Sequence, residues 1–110
     1  MAKRKITWSK TAYFQRKSIL LYWLQRNKSN AYPKKLLSEI QKNTKQLSEF
    51  PEIGKPTDIK NVRVLARIDN YSIYYTHTKT KIQVVTFWDN RQDPEILKNL
   101  LLMSQLSFKK

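Results

Sequence analysis

Three arginines and a tyrosine in the second half of the chain have the types and spacing that phosphate chemistry requires. Arg63 and Arg67 fall on one face of a predicted strand, and two guanidinium groups on one strand face can form a forked phosphate site. Tyr74, on the next predicted strand, is expected beside them, where its ring could stack on a base or its hydroxyl exchange a proton. Alternatively, both arginines simply face solvent, because a half-buried sheet carries charge on its outer side.

A second polar group follows the last predicted strand, in the sequence TFWDNRQDPE from Thr86 to Glu95. Arg91 and Asn90 stand at the end of this strand and are candidates for contact with a target. Asp89 is expected to orient Arg91 or to form the turn, and Asp93 precedes a proline, as in a turn or a helix start. Arg91 therefore either binds a phosphate together with the two strand arginines or anchors the end of the sheet.

The hydrophobic periodicity of the chain predicts the elements that must position these side chains. Ile6–Trp8 is expected to form a short first strand, and Ser9 is placed to cap a first helix. Asn30 is placed to cap a second helix, which should end near Phe50. Three strands with a period of two then follow, at Val62–Ile68, Tyr71–Thr78 and Lys81–Trp88.

These elements predict an α+β fold in the order β-α-α-β-β-β. The last three strands should form a meander in a twisted antiparallel sheet, with the first strand paired to it and the helical hairpin packed on one face. Within the first meander strand, strict alternation places Ala66 and Ile68 on one face with the valines. The same alternation places Leu65 on the other face with the two arginines.

The chain is expected to be a single domain, residues 1–110, with a core at about 5–94. Residues 95–110 form an apolar and basic carboxy-terminal extension. This extension is expected to be a short amphipathic helix packed on the domain. The alternative is an apolar surface that a partner chain completes.

The composition argues against several kinds of site. The chain has no cysteine and a single histidine, so disulfides, thiol chemistry and a dedicated zinc site are not expected. Its one glycine, Gly54, argues against the Gly-rich loops that hold nucleotide phosphates. His77 lies on a half-apolar strand face, where a histidine is more often structural or exposed than catalytic. We expect no metal and no cofactor.

The strongest global feature is a net charge of +14, from 22 basic and 8 acidic residues. Both residues 1–60 and residues 61–110 carry the excess, so it is not confined to a detachable tail. Self-repulsion of this size costs stability and usually reflects a polyanionic partner, nucleic acid first and an acidic protein second. A generally solvated basic surface is the alternative.

Neither a membrane segment nor an export signal is expected. The longest uninterrupted apolar run, Ile19 to Leu24, is far too short to cross a bilayer. Basic residues interrupt any signal-peptide core near the amino terminus. We therefore expect a cytoplasmic protein.

The layout of the chain resembles the RelE/ParE superfamily of toxins from type II toxin–antitoxin modules. The resemblance runs from about Lys5 to Pro94. It rests on four segments in order: ITWSKTA leading into the first helix, FPEIGKP after the second, VRVLARIDNYSIYY as paired strands, and VVTFWDNRQDP closing the sheet. The resemblance implies a small basic toxin, as in plasmid stabilization systems, that inhibits growth until an acidic antitoxin neutralises it in a hetero-oligomer.

Members of this superfamily differ in their target, and the matching positions bear on which one applies. RelE-type toxins cleave ribosome-bound mRNA, whereas ParE-type toxins inhibit DNA gyrase and lack nuclease residues. Arg63 and Arg67 match basic positions of the RelE-type strand, and Arg91 matches the arginine after the last strand. Leu65 and Ser72 stand where RelE-type toxins carry further basic residues, and the carboxy-terminal tyrosine or histidine has no counterpart.

The resemblance assigns roles to these residues that depend on the target. The catalytic candidates of a RelE-like toxin are Arg63, Arg67, Arg91 and Tyr74. The candidates for nucleic-acid or target binding are Arg63, Arg67, Arg91 and Asn90. The lack of an evident acid–base pair and the length of the two helices favour a ParE-like inhibitor of gyrase. A RelE-like mRNA endonuclease and a non-toxic nucleic-acid-binding module are the alternatives.

Overall fold

A helical hairpin lies on a five-stranded sheet in the computed structural model, which describes residues 3–27 and 30–108. The elements, in chain order, are β1 (Lys5–Trp8), α1 (Lys10–Asn27), α2 (Ala31–Glu49), β2 (Lys55–Pro56), β3 (Arg63–Ile68), β4 (Tyr71–His77), β5 (Lys81–Asp89) and α3 (Pro94–Phe108). The predicted order of the core elements is confirmed, with one addition, the short strand β2.

The sheet is mixed rather than purely antiparallel. Its strand order is β1-β5-β4-β3-β2, and the predicted antiparallel meander of β3, β4 and β5 is confirmed. Because β4 occupies one edge of β5, β1 pairs with the other edge, and it runs parallel, with Lys5 opposite Lys81 and Trp8 opposite Val84. The two-residue strand β2 adds to the free edge of β3.

Ser9 fixes the passage from β1 into α1, as predicted. Its hydroxyl accepts a hydrogen bond from the backbone N–H of Ala12 at 3.0 Å and donates to the carbonyl of Val85 at 2.9 Å. The first contact satisfies a free donor of the first helical turn, and the second ties the cap to the sheet. The prediction for α2 is wrong in this respect, because the side chain of Asn30 makes no capping bond. Only the backbone carbonyl of Asn30 takes part in the helix, where it accepts a hydrogen bond from the backbone N–H of Lys34.

The main core lies between the helical hairpin and one face of the sheet. Aromatic side chains of the strands, Tyr71, Tyr75 and Phe87, are fully or almost fully buried there. They meet Leu36 and Ile40 from the apolar stripe of α2. Burial of each such side chain stabilises the fold by about 1.5–3 kcal/mol. This core fixes which side of each strand faces the helices.

A bulge in β3 breaks the predicted alternation of side chains. Its pairing with β4 shifts register between Leu65 and Ile68, and both of these residues are buried in the main core. The predicted assignment of Leu65 and Ile68 to opposite faces is therefore wrong, because the bulge inserts an extra residue between them. Ala66 and Arg67, which lie between them, are exposed.

The second face of the sheet is partly covered by α3. Leu101 of this helix packs with Val62 and Val85, and Tyr74 and Leu97 adjoin the cluster. The predicted amphipathic helix in the tail is thus confirmed. Among the described helices, none has both the length and the apolarity needed to cross a bilayer.

Candidate functional site at the Arg91 end of the sheet

Arg91 projects from the end of β5 and is held there by Asp89. Its Nε and Nη2 donate to the two carboxylate oxygens of Asp89, both at 2.9 Å, and its backbone N–H donates to the same carboxylate at 3.0 Å. The prediction that Asp89 orients Arg91 is confirmed. The hydrogen bonds from Arg91 lower the pKa of Asp89 from its ordinary value, against an opposing effect of burial. Since the side chain of Arg91 is 53% exposed, part of its guanidinium faces solvent.

Asn90 ties the same turn to the sheet. Its backbone N–H donates to the carbonyl of Asn70 at 2.7 Å, which joins the β3–β4 turn to the end of β5. Its side-chain amide exchanges hydrogen bonds with the hydroxyl of the buried Ser72, at 2.9 and 3.1 Å. These contacts fix the backbone on which Arg91 stands. The backbone amide and the side chain of Asn90 are therefore already engaged within the chain.

A shallow depression of about 550 Å³ lies beside Arg91, lined also by Trp23, Tyr32, Asp69 and Asn70. The Trp23 and Tyr32 rings meet edge to face, with centroids 5.0 Å apart. Tyr32 donates its hydroxyl proton to Asp69 at 2.9 Å. The pKa of Tyr32 is raised to about 12, mainly by burial and to a smaller extent by this hydrogen bond.

Trp23 is fixed by a hydrogen bond to the sheet. Its indole N–H donates to the hydroxyl of Tyr71 at 2.7 Å, and Tyr71 in turn stacks on Phe87 with centroids 5.4 Å apart. The aromatic wall of the depression is thus anchored in the main core. Trp23, Tyr32 and Asp69 were not predicted as site residues, because they come from α1, α2 and a turn that meet only in the folded chain.

The chemistry of this end suits binding better than proton transfer. An exposed guanidinium beside fixed aromatic rings can bind a carboxylate or phosphate together with an apolar group. The pKa of Asp89 is lowered and that of Tyr32 is raised, so both move away from neutrality, where an acid–base catalyst works best. The depression is therefore a candidate binding site for a protein or nucleic-acid surface.

Arg63 lies at the opposite end of the sheet and is engaged by a loop. Its Nη1 donates to the carbonyl of Gly54 at 2.7 Å and to that of Glu52 at 3.3 Å. Arg63 pairs with Tyr75 of β4, whereas Asp89 pairs with Tyr71. The position opposite Arg63 and the position opposite Asp89 are therefore four residues apart on β4, roughly 13 Å along the strand. The structure does not bring Arg63 and Arg91 to one phosphate.

Arg67 lies apart from Arg63, beyond the bulge and toward the other end of β3. Its neighbour Ile68 pairs with Tyr71, which pairs with Asp89, so Arg67 lies near the level of Asp89 with β4 between their strands. Its Nη1 donates to the side-chain oxygen of Gln46 on α2 at 3.0 Å. The three predicted arginines thus occupy three separate positions, each with a partner inside the chain.

Tyr74 does not lie beside the arginines, so the predicted placement is wrong. In the register of the sheet it pairs with Val64, while its neighbour Tyr75 pairs with Arg63. Because successive side chains alternate, Tyr74 faces α3 and packs beside Leu97. Burial there raises the pKa of Tyr74. The phenol near Arg63 is that of Tyr75, which was not among the predicted site residues.

His77 lies near Arg63, on the same face as Tyr75. Partial burial lowers its pKa below 6.5, and the charges of Arg4 and Arg63 lower it further, against an opposing effect of Glu52. In residues 3–27 and 30–108, no group of three or more histidine, aspartate or glutamate side chains is placed to hold a metal ion.

The family of the chain follows from a profile match over most of its length. The profile described as "ParE toxin of type II toxin-antitoxin system, parDE" matches residues 6–94. The chain belongs to the ParE toxin family. This match confirms the resemblance, and membership implies an antitoxin partner.

One similar solved structure is described as "Chromosomal ParDE TA system from P. aeruginosa". The similarity has a TM-score of 0.54 and 18% identity, over 77% of this chain and 94% of that chain. At this identity the comparison supports the ParE-like fold alone. Comparison with curated protein sequences gives no significant match. The neighbouring system is chromosomal, so a role in plasmid stabilization stays a prediction.

Proposed function

We propose that this ParE-family toxin inhibits growth by binding DNA gyrase, and that the Arg91 end of the sheet contacts the target. The observation that carries the proposal is the separation of the predicted catalytic groups. Arg63 and Arg91 lie at opposite ends of the sheet, and Tyr74 lies on the face turned away from Arg63. Cleavage of a phosphodiester requires such groups at one phosphate.

Arg91 has the features of an interface residue. Its guanidinium is oriented by Asp89 and still open to solvent, beside the rings of Trp23 and Tyr32. Arginine and aromatic residues dominate the binding energy of protein interfaces, particularly where they are held rigidly. Inhibition by binding requires only such a surface and no acid–base pair.

The outer surface of α1 supports the antitoxin part of the proposal. Phe14, Leu21 and Tyr22 are each about half exposed there, at 51%, 45% and 51%. Arg26 lies over the ring of Tyr22, 5.8 Å from its centroid. An amphipathic segment with apolar anchors and acidic flanks fits this surface in shape and charge. An acidic antitoxin would supply such a segment.

A supercoiling assay with purified gyrase tests the target. The chain is expected to inhibit the enzyme, and Arg91→Ala to raise the inhibitory concentration about tenfold or more. Lys42→Ala is the control, because it removes an exposed positive charge of α2 outside the depression. Equal inhibition by the wild type and Arg91→Ala would contradict the role of Arg91, and no inhibition by the wild type would contradict gyrase as target.

Induction in cells without the antitoxin separates the alternatives. Gyrase-linked DNA breaks and altered plasmid supercoiling, with intact mRNA, are the expected result. Codon-positioned cuts in translated messages, lost in Arg63→Ala and Arg91→Ala, would instead establish the RelE-like endonuclease. Normal growth on induction would favour the non-toxic nucleic-acid-binding module.

A further inference from the structure

Basic side chains gather where β1 starts and the β4–β5 hairpin turns. We call Arg4, Lys5, Lys79 and Lys81 the cationic corner. The two segments that build it, residues 3–10 and 77–88, contain no aspartate or glutamate. The backbone holds the segments together, since the N–H of Lys5 donates to the carbonyl of Thr80 at 2.9 Å. The positive charge of the corner is therefore not neutralised from within these segments.

Lys5 and Lys81 are direct neighbours in the parallel pairing of β1 with β5. Neighbouring strands lie about 4.8 Å apart. The adjacent residues Ile6 and Ile82 pack on the helix-covered side. Both lysines therefore project from the opposite face, next to each other. Like charges at such positions are destabilising, and in the described part of the chain the single ion pair is that of Arg91 with Asp89, at the other end.

Arg4 is fixed against the hairpin. Its Nε donates to the carbonyl of Thr78 at 2.6 Å, and its backbone N–H donates to the carbonyl of Ser48 at 3.0 Å. Among the described residues, neither terminal nitrogen of its guanidinium has a hydrogen-bond partner. Arg4 therefore lies toward His77 and the end of α2, and the three exposed ammonium groups of Lys5, Lys79 and Lys81 are the ones that the corner presents to an anion on the other face.

A groove continues from the corner along the same face of the sheet. Gln83, the next residue after Lys81 on this face, lines it, and Lys10 lies further along, at the start of α1. The groove has a volume of about 540 Å³ and runs between the strands and α3. Seven of its eleven described lining residues carry a hydroxyl or an amide, and none of the eleven is acidic or aromatic. Ser9, Ser104 and Gln105 are engaged within the chain. Thr11 and Gln83 are at least partly exposed and can hydrogen-bond sugar and phosphate oxygens without reading bases.

We propose that the cationic corner and this groove bind single-stranded nucleic acid through its phosphate backbone. Lys5, Lys79 and Lys81 contact successive phosphates at the corner, and Lys10 contacts a further one in the groove. A groove of this size accommodates a single strand and not the full width of a duplex. A protein segment would find the larger exposed apolar side chains on α1 instead.

Titration of a labelled single-stranded 12-nucleotide oligomer by fluorescence anisotropy tests this proposal. With four lysines on phosphates, the logarithm of the binding constant should fall with the logarithm of salt concentration with a slope near −3, at roughly 0.7 per contact. The double substitution Lys5→Gln and Lys81→Gln should reduce the slope to about −1.4 and weaken binding about tenfold at moderate salt. Lys34→Gln with Lys35→Gln is the matched control, since these lysines are also exposed, on α2, and the net charge changes equally.

Three results of the binding experiments would overturn the proposal. An equal loss of affinity in the α2 control would mean that only the overall charge of the chain matters. Tighter binding of a duplex of the same length would exclude the single strand as occupant. Stronger binding of a glutamate peptide of matched charge would assign the corner to an acidic protein.

Thermal melting of the Lys5→Gln, Lys81→Gln variant tests whether a loss of affinity comes from misfolding. Because the substitution relieves repulsion between Lys5 and Lys81, the melting temperature of the variant should equal or exceed that of the wild type. A lower melting temperature would contradict the unrelieved repulsion on which the proposal rests. Gyrase inhibition by the same variant is a separate measurement, since both lysines lie at the end of the sheet opposite Arg91.

Discussion

The hydroxyl of Tyr75 accepts a hydrogen bond from the backbone N–H of Gly54 at 3.0 Å and donates one to the carbonyl of Pro51 at 2.7 Å. A fully buried side chain of β4 thereby holds the loop between α2 and β2 against the sheet. The same loop supplies the carbonyls that bind Arg63. The position of Arg63 therefore depends on the phenol of Tyr75, which precedes His77 by two residues on β4.

Replacement of Tyr75 by phenylalanine should destabilise the protein. The substitution removes the acceptor of the buried Gly54 N–H and the donor to Pro51, and an unsatisfied buried group costs about 1–3 kcal/mol. Urea unfolding monitored by circular dichroism measures the change. Tyr13→Phe is the control, because Tyr13 is 43% exposed, and its free energy of unfolding should change little. Equal stability of the Tyr75→Phe variant and the wild type would show that water replaces both contacts.

Gly54→Ala should also destabilise the fold, for a steric reason. A Cβ atom at this position would lie 2.5 Å from the hydroxyl oxygen of Tyr75 and 2.9 Å from the carbonyl oxygen of Val64. Since Tyr75 is fully buried and Val64 contributes backbone, neither can move away freely, and a cost of about 1–3 kcal/mol is expected. Thermal melting compared with Lys55→Ala, an exposed neighbour, isolates the effect. An unchanged melting temperature would mean that the loop shifts without loss.

Asp89→Asn should lower the free energy of unfolding at neutral pH, and this effect should diminish as the pH is lowered. The folded-state pKa of Asp89 is lowered, so its contribution is present above the unfolded value near 3.9 and is lost as pH falls through the folded value. Because Arg91 is exposed, the contribution is at most about 1 kcal/mol. Urea unfolding at a series of pH values from 7 downward follows the difference between variant and wild type, which should shrink as the carboxylate is protonated. Asp58→Asn, at another exposed position, should change the stability little at any pH, and a difference for Asp89→Asn that is independent of pH would exclude ionisation as its cause.

The single histidine allows a direct test of the electrostatics near Arg63. Its imidazole pKa, followed by NMR, should lie below 6.5, so that neutral His77 stabilises the fold above that pH and this contribution is lost in acid. Arg4→Ala should raise the pKa towards 6.5, because it removes one of the two nearby positive charges. Lys34→Ala, on the far helix, should leave it unchanged. A wild-type pKa at or above 6.5 would contradict the burial of the imidazole beside Arg4 and Arg63.

The parts of the fold that depend on local periodicity could be predicted from the sequence. The apolar stripe of α2 and the alternation in β4 identify these elements without tertiary information. The contact of Arg91 with Asp89 was also predictable, because the two residues are two positions apart. The bulge at Ala66 and Arg67 could not be predicted, because it arises from the pairing of β3 with β4. It breaks the alternation that placed Arg63 and Arg67 on one face, and the predicted forked phosphate site depended on that alternation.

The depression beside Arg91 could not be predicted for a different reason. Trp23 and Tyr71 are 48 positions apart, and Tyr32 and Asp69 are 37 apart. No periodicity links residues at such separations. The charge pattern likewise did not indicate the cationic corner, because only the parallel register places Lys5 next to Lys81.

The parallel pairing of β1 with β5 has a consequence for how the chain emerges from the ribosome. Ser9 and Val85, which join the start of α1 to β5, are separated by 76 residues. At about 5–20 residues per second, this separation corresponds to roughly 4–15 s of translation. During that interval β1 has no strand to pair with, and the toxin cannot complete its sheet. A partner that binds the nascent chain early would therefore meet an incomplete toxin.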